Sequence, residues 1–316
     1  MLAELLGEDG TEESAEQAAA AAEKMFRPGS KKELWAYLAA HPDCSLGSID
    51  VSELTDLSEL FLCSERRDYS GIELWDTSRV TDMSNMFHLA VHFNYPIGIW
   101  DVGRVRNFSK MFMDAQLFNQ PLEAWNTSSA ISFYCMFASA PNFNQPLEGW
   151  DTSSVQNMRA MFHEASHFNQ PLNGWDVSRV KDFSAMFYKA RAFNQPLNRW
   201  NLASAEYLNK MFCGASTFDQ DLSAWNTSAV KDHKDMLKGT KRDLAATEEV
   251  PVATAAAGSP GSAPEHLSSG SELSGKQDSS KQDLSEHPGI AKKPGAAKAV
   301  DKRSDDMGMK RADLHQ

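Results

Sequence analysis

The stretch WDTSRVTDMSNMF at residues 75–87 decides the fold, because close copies of it recur every 25 residues through the middle of the chain. The first residue of each copy, position 1, is always Trp: Trp75, Trp100, Trp125, Trp150, Trp175, Trp200 and Trp225. A fixed period in this range is the signature of structural repeats that stack on one another. Each copy is named below by its Trp.

Other positions repeat as strictly as the Trp. Position 12 is always Met, from Met86 to Met236, and position 16 is Ala from Ala90 to Ala215. Position 13 is Phe in the six units from Phe87 to Phe212, and position 19 is Phe from Phe93 to Phe218. A 25-residue unit cannot bury these groups alone, so they predict aromatic and Met columns inside a stack.

Two local structures are predicted within each unit. Positions 6, 9, 13 and 16 follow helical spacing and predict a short helix over about positions 8–16, capped by a polar residue at position 4 or 8. The Leu-x-x-Trp-x-Thr/Val stretch, as at residues 147–152, predicts a short strand. The expected fold is therefore a right-handed, leucine-rich-repeat-like α/β solenoid of strand–helix units.

The repeat register also sets the predicted domain boundaries. The solenoid covers residues 49–240, with a degenerate first unit (49–74), six full units (75–224) and a partial capping unit (225–240). Residues 31–48 are an N-terminal cap whose helix brings Leu34, Trp35 and Leu38 together. Low apolar content predicts disorder for residues 241–316, and disorder or a frayed helix for residues 1–30.

Two polar columns accompany the apolar ones. Position 20 is Asn from Asn94 to Asn194 and then Asp219, and it predicts a ladder of side-chain hydrogen bonds to turn amides. Position 2 is Asp or Asn, as in Asp76 and Asn126, and favours hydrogen bonding within turns. A calcium ladder is the alternative for position 2, weakened by the neutral Asn residues.

The bulk composition excludes several classes of protein. A formal net charge of −12 argues against non-specific nucleic-acid binding. The four Cys residues lack metal-ligand spacing and are predicted to be free thiols. There is no secretory signal and no apolar stretch long enough to span a membrane. The localisation is undetermined, and an intracellular site is favoured unless the N-terminus is incomplete.

One segment, His163-Glu164-Ala-Ser-His167, matches the H-E-x-x-H pattern in which two His on a helix bind zinc and Glu activates water. The repeat register argues against that chemistry, because these residues occupy variable positions of an ordinary unit. An exposed polar loop is expected there. No catalytic, cofactor-binding or metal-binding residue and no cofactor is predicted, and the chain is expected not to be an enzyme.

The repeat resembles the BspA-type, leucine-rich-repeat-like units of bacterial surface proteins, lipoproteins and proteins of unicellular algae. The resemblance rests on the motif at residues 75–87 and on the Phe-Asn-Gln-Pro-Leu stretch, as at 143–147, and it covers about residues 31–240. It implies a solenoid with a role in adhesion or protein binding, and it brings no catalytic residues.

The leading hypothesis is a non-enzymatic repeat scaffold for protein–protein interaction. Its binding surface would come from the variable positions 5, 7, 10, 14, 17, 24 and 25, because repeat proteins diversify such positions around a fixed core. The alternative is a surface or matrix adhesin for glycans or structural polymers. A third hypothesis is a zinc metallohydrolase that uses His163, Glu164 and His167. The expected partner is a protein, and the oligomeric state is undetermined.

Overall fold

The computed structural model describes residues 25–245, all within the first of the two units into which the chain divides, Met1–Ala255. The predicted disorder of residues 1–30 and 241–316 falls almost entirely outside that range. The helices there are α1 (Lys31–Ala40), short 3₁₀ helices at Leu46–Ser48 and Ile72–Leu74, and α2 (Lys241–Ala245). None of them is long and apolar enough to cross a bilayer.

Two side-chain hydrogen bonds cap the N-terminus of helix α1, in a variant of the capping box. The Ser30 side chain accepts a hydrogen bond from the Glu33 amide, and the Glu33 carboxylate accepts one from the Gly29 amide. Leu34 is fully buried, whereas Trp35 is 57 % exposed. Of the residues that α1 was expected to bring together, Trp35 does not share the burial of Leu34.

The predicted strand–helix units, and with them the right-handed α/β solenoid, are contradicted by the structure. Positions 8–16 of each unit form successive tight turns, and residues 147–152 hold one turn at Glu148 and Gly149 and no strand. Strand pairing among residues 25–245 is limited to isolated parallel bridges and builds no sheet. Seven of these eight bridges join position 8 of neighbouring units, as between Asn107 and Ser132.

Left-handed residues explain why positions 8–16 are not helical. Positions 11 and 15 have positive φ in every unit, as in Ala160 (55°) and Glu164 (56°). A left-handed residue cannot continue a right-handed helix. The amides then alternate in their partners: Met161 donates to Met158 within the unit, whereas Ala160 donates to Ser184 of the next unit at 2.9 Å. Neighbouring units thus share their backbone hydrogen bonds.

The predicted aromatic columns are confirmed. Trp150 lies nearly parallel to Trp125 and Trp175, with ring centroids 6.2 and 6.4 Å apart. The position-13 Phe rings stack at 5.4–5.7 Å between units, as for Phe137 and Phe162. The position-12 Met residues are buried throughout. Each stacked Trp also donates from Nε1 to a carbonyl of the preceding layer, as Trp150 does to Leu122 at 2.9 Å.

The predicted Asn ladder is also confirmed. The side-chain oxygen of Asn144 accepts a hydrogen bond from the Asn169 amide at 2.9 Å, and that of Asn169 accepts one from the Asn194 amide at 2.9 Å. The Gln at position 21 donates to the same Asn, as Gln170 does to Asn144. This column therefore holds one unit to the next rather than offering a ligand site.

Candidate functional site

The segment that matches H-E-x-x-H runs through the Trp150 unit. His163 is 2 % exposed, and its ring stacks on Tyr188 with centroids 4.7 Å apart. Glu164 lies beside Lys189, whose Nζ is 3.0 Å from Oε1 of Glu164. The expectation of an exposed loop is wrong for His163, because neighbouring units pack tightly at this position.

The second His of the pattern, His167, contacts a different part of the chain from His163 and Glu164. His167 is exposed, and its Nδ1 lies 2.7 Å from the carbonyl oxygen of Pro141. The H-E-x-x-H pattern needs its two His one turn apart on a helix, and the left-handed Glu164 breaks that geometry. Within residues 25–245, no group of three or more His, Cys, Asp or Glu side chains is arranged to hold a metal ion.

A second group of buried polar residues lies in the Trp75 and Trp100 units, closer to the N-terminus. His88, Lys110 and Asp114 are 8 %, 2 % and 6 % exposed. Nε2 of His88 is 3.8 Å from Oδ2 of Asp114. Burial, assisted by the Lys110 charge, lowers the pKa of His88 to about 4. His88 is therefore neutral near pH 7, and its contact with Asp114 is not an ion pair there.

The cysteines of the described residues are free, as predicted. Cys135 is fully buried beside this polar group, and the lost hydration raises its pKa to about 12. Desolvation also raises the pKa of Cys63 and that of Cys213. Since the thiolate is the reactive form, these sulfurs are poor nucleophiles at neutral pH.

Position 14 as a whole was predicted to belong to the variable surface, and this is wrong for most units. Its residues are buried from the Trp75 unit to the Trp175 unit: His88, Met113, Ala138, His163 and Tyr188. The amide at position 15 donates to the position-14 carbonyl of the next unit, as Glu164 does to Tyr188 at 2.7 Å. That bond brings the position-14 residues of neighbouring units against each other.

The acidic column at position 2 is used within turns, as favoured from the sequence. The Asp151 carboxylate accepts hydrogen bonds from the amide and the hydroxyl of Ser153, at 3.0 and 2.6 Å. These bonds lower the pKa of Asp151, and bonds to Ser178 lower that of Asp176 in the same way. The carboxylates stabilise their own turns.

Positions 5 and 7 form one largely exposed part of the predicted surface, and positions 24 and 25 form another. Position 7 forms a backbone ladder in which each amide donates to the position-7 carbonyl of the preceding unit, as Arg106 does to Thr81 at 2.9 Å. The side chains at positions 5 and 7 include six cations, all exposed: Arg79, Arg104, Arg106, Arg179, Lys181 and Lys231. We call this surface the 5/7 face.

Ion pairing along the 5/7 face is uneven. Lys231 lies 2.5 Å from Glu206, and Arg79 pairs with Glu53. Arg104 and Arg106 form no ion pair with any residue in the range 25–245. The Trp100 unit therefore exposes two guanidinium groups that form no ion pair among the described residues.

The sequence reasoning missed a cavity of about 630 Å³ between α1 and the first unit. Trp35, Leu38 and Ala39 of α1 and Leu60 to Leu62 of the first unit contribute to its lining. The available signal was Trp35 itself, the one Trp outside the 25-residue register.

Comparisons with known proteins give one result. Residues 35–150 and 132–248 each match the family described as "Mycoplasma protein of unknown function, DUF285". The chain belongs to this family. The two matches cover more than half of the chain and agree with the repeats seen in the structure.

The family description names no activity, substrate or partner, so membership establishes a repeat domain and no chemistry. It does not single out the BspA type within repeat proteins. No curated protein and no solved structure matches the chain.

Proposed function

We propose that the repeat region is a non-enzymatic scaffold that binds a protein partner through the 5/7 face. The observation that carries the proposal is the unpaired Arg104–Arg106 cluster on a backbone ladder whose side chains are free to differ from unit to unit. The resemblance to BspA-type units supports the same role, since such units are associated with adhesion and protein binding.

The ladder gives the 5/7 face a rigid backbone. Main-chain bonds of 2.8–3.1 Å join the position-7 residues, which are Thr81, Arg106, Ile131, Gln156, Lys181, Glu206 and Lys231. A rigid surface with varied side chains loses little conformational entropy on binding, which favours affinity. Arg is also enriched among the residues that dominate binding at protein interfaces.

The charges around the 5/7 face favour a protein over a polyanion. The position-2 carboxylates are close in sequence to the cations, and Asp176 is near enough for Arg179 to lower its pKa. Carboxylates among the cations repel a uniform phosphate backbone. A protein surface with both acidic and basic groups is complementary to both columns.

A non-enzymatic role agrees with the state of the reactive side chains. The thiol of Cys135 is protonated, and His88 is shielded from solvent. The two His and the Glu of the H-E-x-x-H segment point to different partners. Stoichiometric zinc together with hydrolytic activity in the purified full chain would contradict this part of the proposal.

The experiment is affinity purification from the native cells with the tagged full chain, followed by mass spectrometry. The test variant is Arg104→Glu/Arg106→Glu. The matched control is Arg191→Glu/Arg199→Glu, which makes the same charge change at exposed residues on positions 17 and 25.

A partner bound by the wild type and the control, but reduced at least ~10-fold with the test variant, is the expected result. Equal recovery with all three proteins would place the partner elsewhere and overturn the 5/7 face. Retention on insoluble polysaccharide without a protein partner would favour the adhesin alternative.

A further inference from the structure

The cavity beside α1 leaves apolar surface open to solvent. Trp35 is 57 % exposed, whereas the seven Trp residues of the repeat register are 3–8 % exposed. Leu62, on the opposite wall, is 38 % exposed. The volume of about 630 Å³ is within the usual range of ligand pockets.

The walls of this cavity are held in place by Arg66. Its guanidinium group donates hydrogen bonds to the carbonyl oxygens of Pro42, Cys44 and Asp68, and so ties the loop after α1 to a loop of the first unit. The cleft therefore exists before any ligand arrives.

Backbone acceptors also face this end of the stack. Between units, the carbonyls at positions 12 and 14 accept from the preceding unit, as Met86 does from the Phe61 amide at 2.9 Å and His88 from the Cys63 amide at 2.8 Å. Leu60 and Leu62 occupy positions 12 and 14 of the first unit, and no repeat unit precedes it among residues 25–245. Their carbonyls accept no hydrogen bond from residues 25–245.

We propose that the cleft between α1 and Leu60–Leu62 binds a short peptide of a partner protein, whose backbone amides pair with this end of the stack. Two amides of the peptide, two residues apart, donate to the carbonyls of Leu60 and Leu62. Inside the stack, the amides at positions 13 and 15 donate to such carbonyls from successive turns, as those of Phe61 and Cys63 do, so the bound peptide adopts a similar turn. An apolar side chain of the peptide enters the cavity between Trp35 and Leu62, which provides selectivity.

The position of α1 limits the size of the molecule that can reach Leu60 and Leu62. Nζ of Lys31 is 2.6 Å from the Ser58 hydroxyl and 2.7 Å from Asp56, and the fully buried Leu34 packs behind it. Helix α1 thus covers the edge before Leu60. A complete repeat unit from a second copy would collide with α1, whereas a peptide of a few residues reaches only the open part.

The charge of the cleft indicates the composition of the peptide. Asp43, Glu65 and Asp68 are exposed and contribute to the lining together with Arg67, while Arg66 is engaged by backbone carbonyls. Hydrogen bonds from Ser70 lower the pKa of Asp68, which keeps this carboxyl charged. A basic residue flanking the apolar side chain complements this negative rim. This site goes beyond the proposed function, because it does not use the 5/7 face.

The test is to pan the full chain against a phage-displayed library of random heptapeptides and to measure binding of the enriched peptides by calorimetry. Ala39→Phe fills the cleft from α1. The matched control is Ala40→Phe, an exposed neighbour on the same helix that does not line the cleft. Each amide of the best peptide is then N-methylated in turn.

We expect enriched peptides with an apolar residue beside a basic one, and a blue shift of Trp35 fluorescence on binding. Ala39→Phe should weaken binding at least ~10-fold, and Ala40→Phe by less than ~2-fold. Methylating either of two alternate amides should cost about 10-fold each, consistent with the loss of a backbone hydrogen bond, and the amide between them should tolerate methylation.

Three outcomes would overturn the proposal. They are the absence of any enriched peptide, binding that Ala39→Phe does not affect, and concentration-dependent self-association that Ala39→Phe abolishes. The last result would make a second copy the occupant. The Arg104→Glu/Arg106→Glu variant should still bind the peptide, so failure of this site and failure of the 5/7 face are distinguishable.

Discussion

The Trp150 unit and the last unit, residues 225–240, share a backbone path but differ in what lies on either side. Position 9 is the buried Met158 in the first and the exposed His233 in the second. Position 13 is the fully buried Phe162 in the Trp150 unit and the half-buried Leu237 in the last unit. No further unit follows the last one within residues 25–245, and its positions 9 and 13 carry His233 and Leu237 in place of Met158 and Phe162.

The backbones of the two units differ in the same way. The amides of Ala160 and Phe162 donate to Ser184 and Met186 of the next unit, both at 2.9 Å. The corresponding amides of Asp235 and Leu237 donate to no acceptor within residues 25–245. Stability in this fold therefore comes from the contacts between units more than from any single unit.

Replacing Trp150 should have the largest effect on stability. Trp150 stacks between two Trp rings and also contacts Phe133, whereas Trp225 has a neighbouring Trp on one side only. We expect Trp150→Ala to cost about 3–5 kcal/mol, and Trp225→Ala clearly less, in guanidinium denaturation of the full chain.

Glu148→Ala is the control for this pair, since Glu148 is exposed and should contribute close to nothing. Equal losses for Trp150→Ala and Trp225→Ala would refute the dependence on two neighbours. A loss as small as that of the control would refute the stacked Trp core.

The next largest effect should be the loss of stability at acidic pH that comes from the buried His88 at position 14. Burial holds the pKa of His88 at about 4, below its ordinary 6.5. Between these values the unfolded chain binds a proton that the folded chain does not, so stability falls as the pH drops from about 6.5 to about 4. A shift of this size contributes roughly 2–3 kcal/mol over that window.

His88→Gln should flatten the stability profile between pH 6.5 and 4, measured by urea denaturation at several pH values. Lys238→Gln changes the same position in the exposed terminal unit and should leave the profile as in the wild type. An unchanged profile for His88→Gln would show that His88 is not kept neutral by the fold.

The sequence predicts the stacked side-chain columns of this fold far better than it predicts the backbone conformation. Trp, Met and Phe columns follow directly from an uninterrupted period, because only stacking buries them. The left-handed conformation at position 11 has no such signal, since Lys110, Cys135 and Ala160 hold it and none is Gly. Apolar spacing at positions 6, 9, 13 and 16 fits a helix and a series of turns equally well.

The candidate sites show the same difference: the sequence predicts the repeat register well and the backbone geometry poorly. The repeat register correctly assigns residues 163–167 to an ordinary unit. It wrongly predicts that His163 is exposed to solvent. Burial at position 14 depends on how closely the next unit approaches, and that distance follows from the turns. The cleft beside α1 was missed because it requires the relative placement of Trp35 and Leu62.

Breaking the Asn ladder should have an intermediate effect that depends on the unit. The side-chain oxygen of Asn169 accepts from the Asn194 amide and the Gln195 amide group, at 2.9 and 3.2 Å. Asn169→Ala leaves these donors without their partner and should cost about 1–3 kcal/mol. Asp219 accepts no bond from a following unit among the described residues, so Asp219→Ala should cost less than about 0.5 kcal/mol. Comparable losses in thermal denaturation would contradict the ladder.

The smallest expected effect tests the turns at position 11. Ala185 and Asp235 have φ of 55° and 57°, in a central and a terminal unit. Gly accepts this conformation without strain, so Ala185→Gly and Asp235→Gly should each change stability by less than about 1 kcal/mol, neutral or stabilising. In a helix, Ala185→Gly would destabilise by about 1 kcal/mol. Chemical denaturation distinguishes the two signs.

The most direct test of the shared backbone hydrogen bonds is amide hydrogen exchange of the native full chain, measured residue by residue by NMR. The amides of Ala160 and Phe162 should be strongly protected, because they donate to the next unit, and those of Asp235 and Leu237 should exchange far faster. A helix over positions 8–16 would satisfy these amides within each unit. Equal protection of the two pairs would therefore contradict the account.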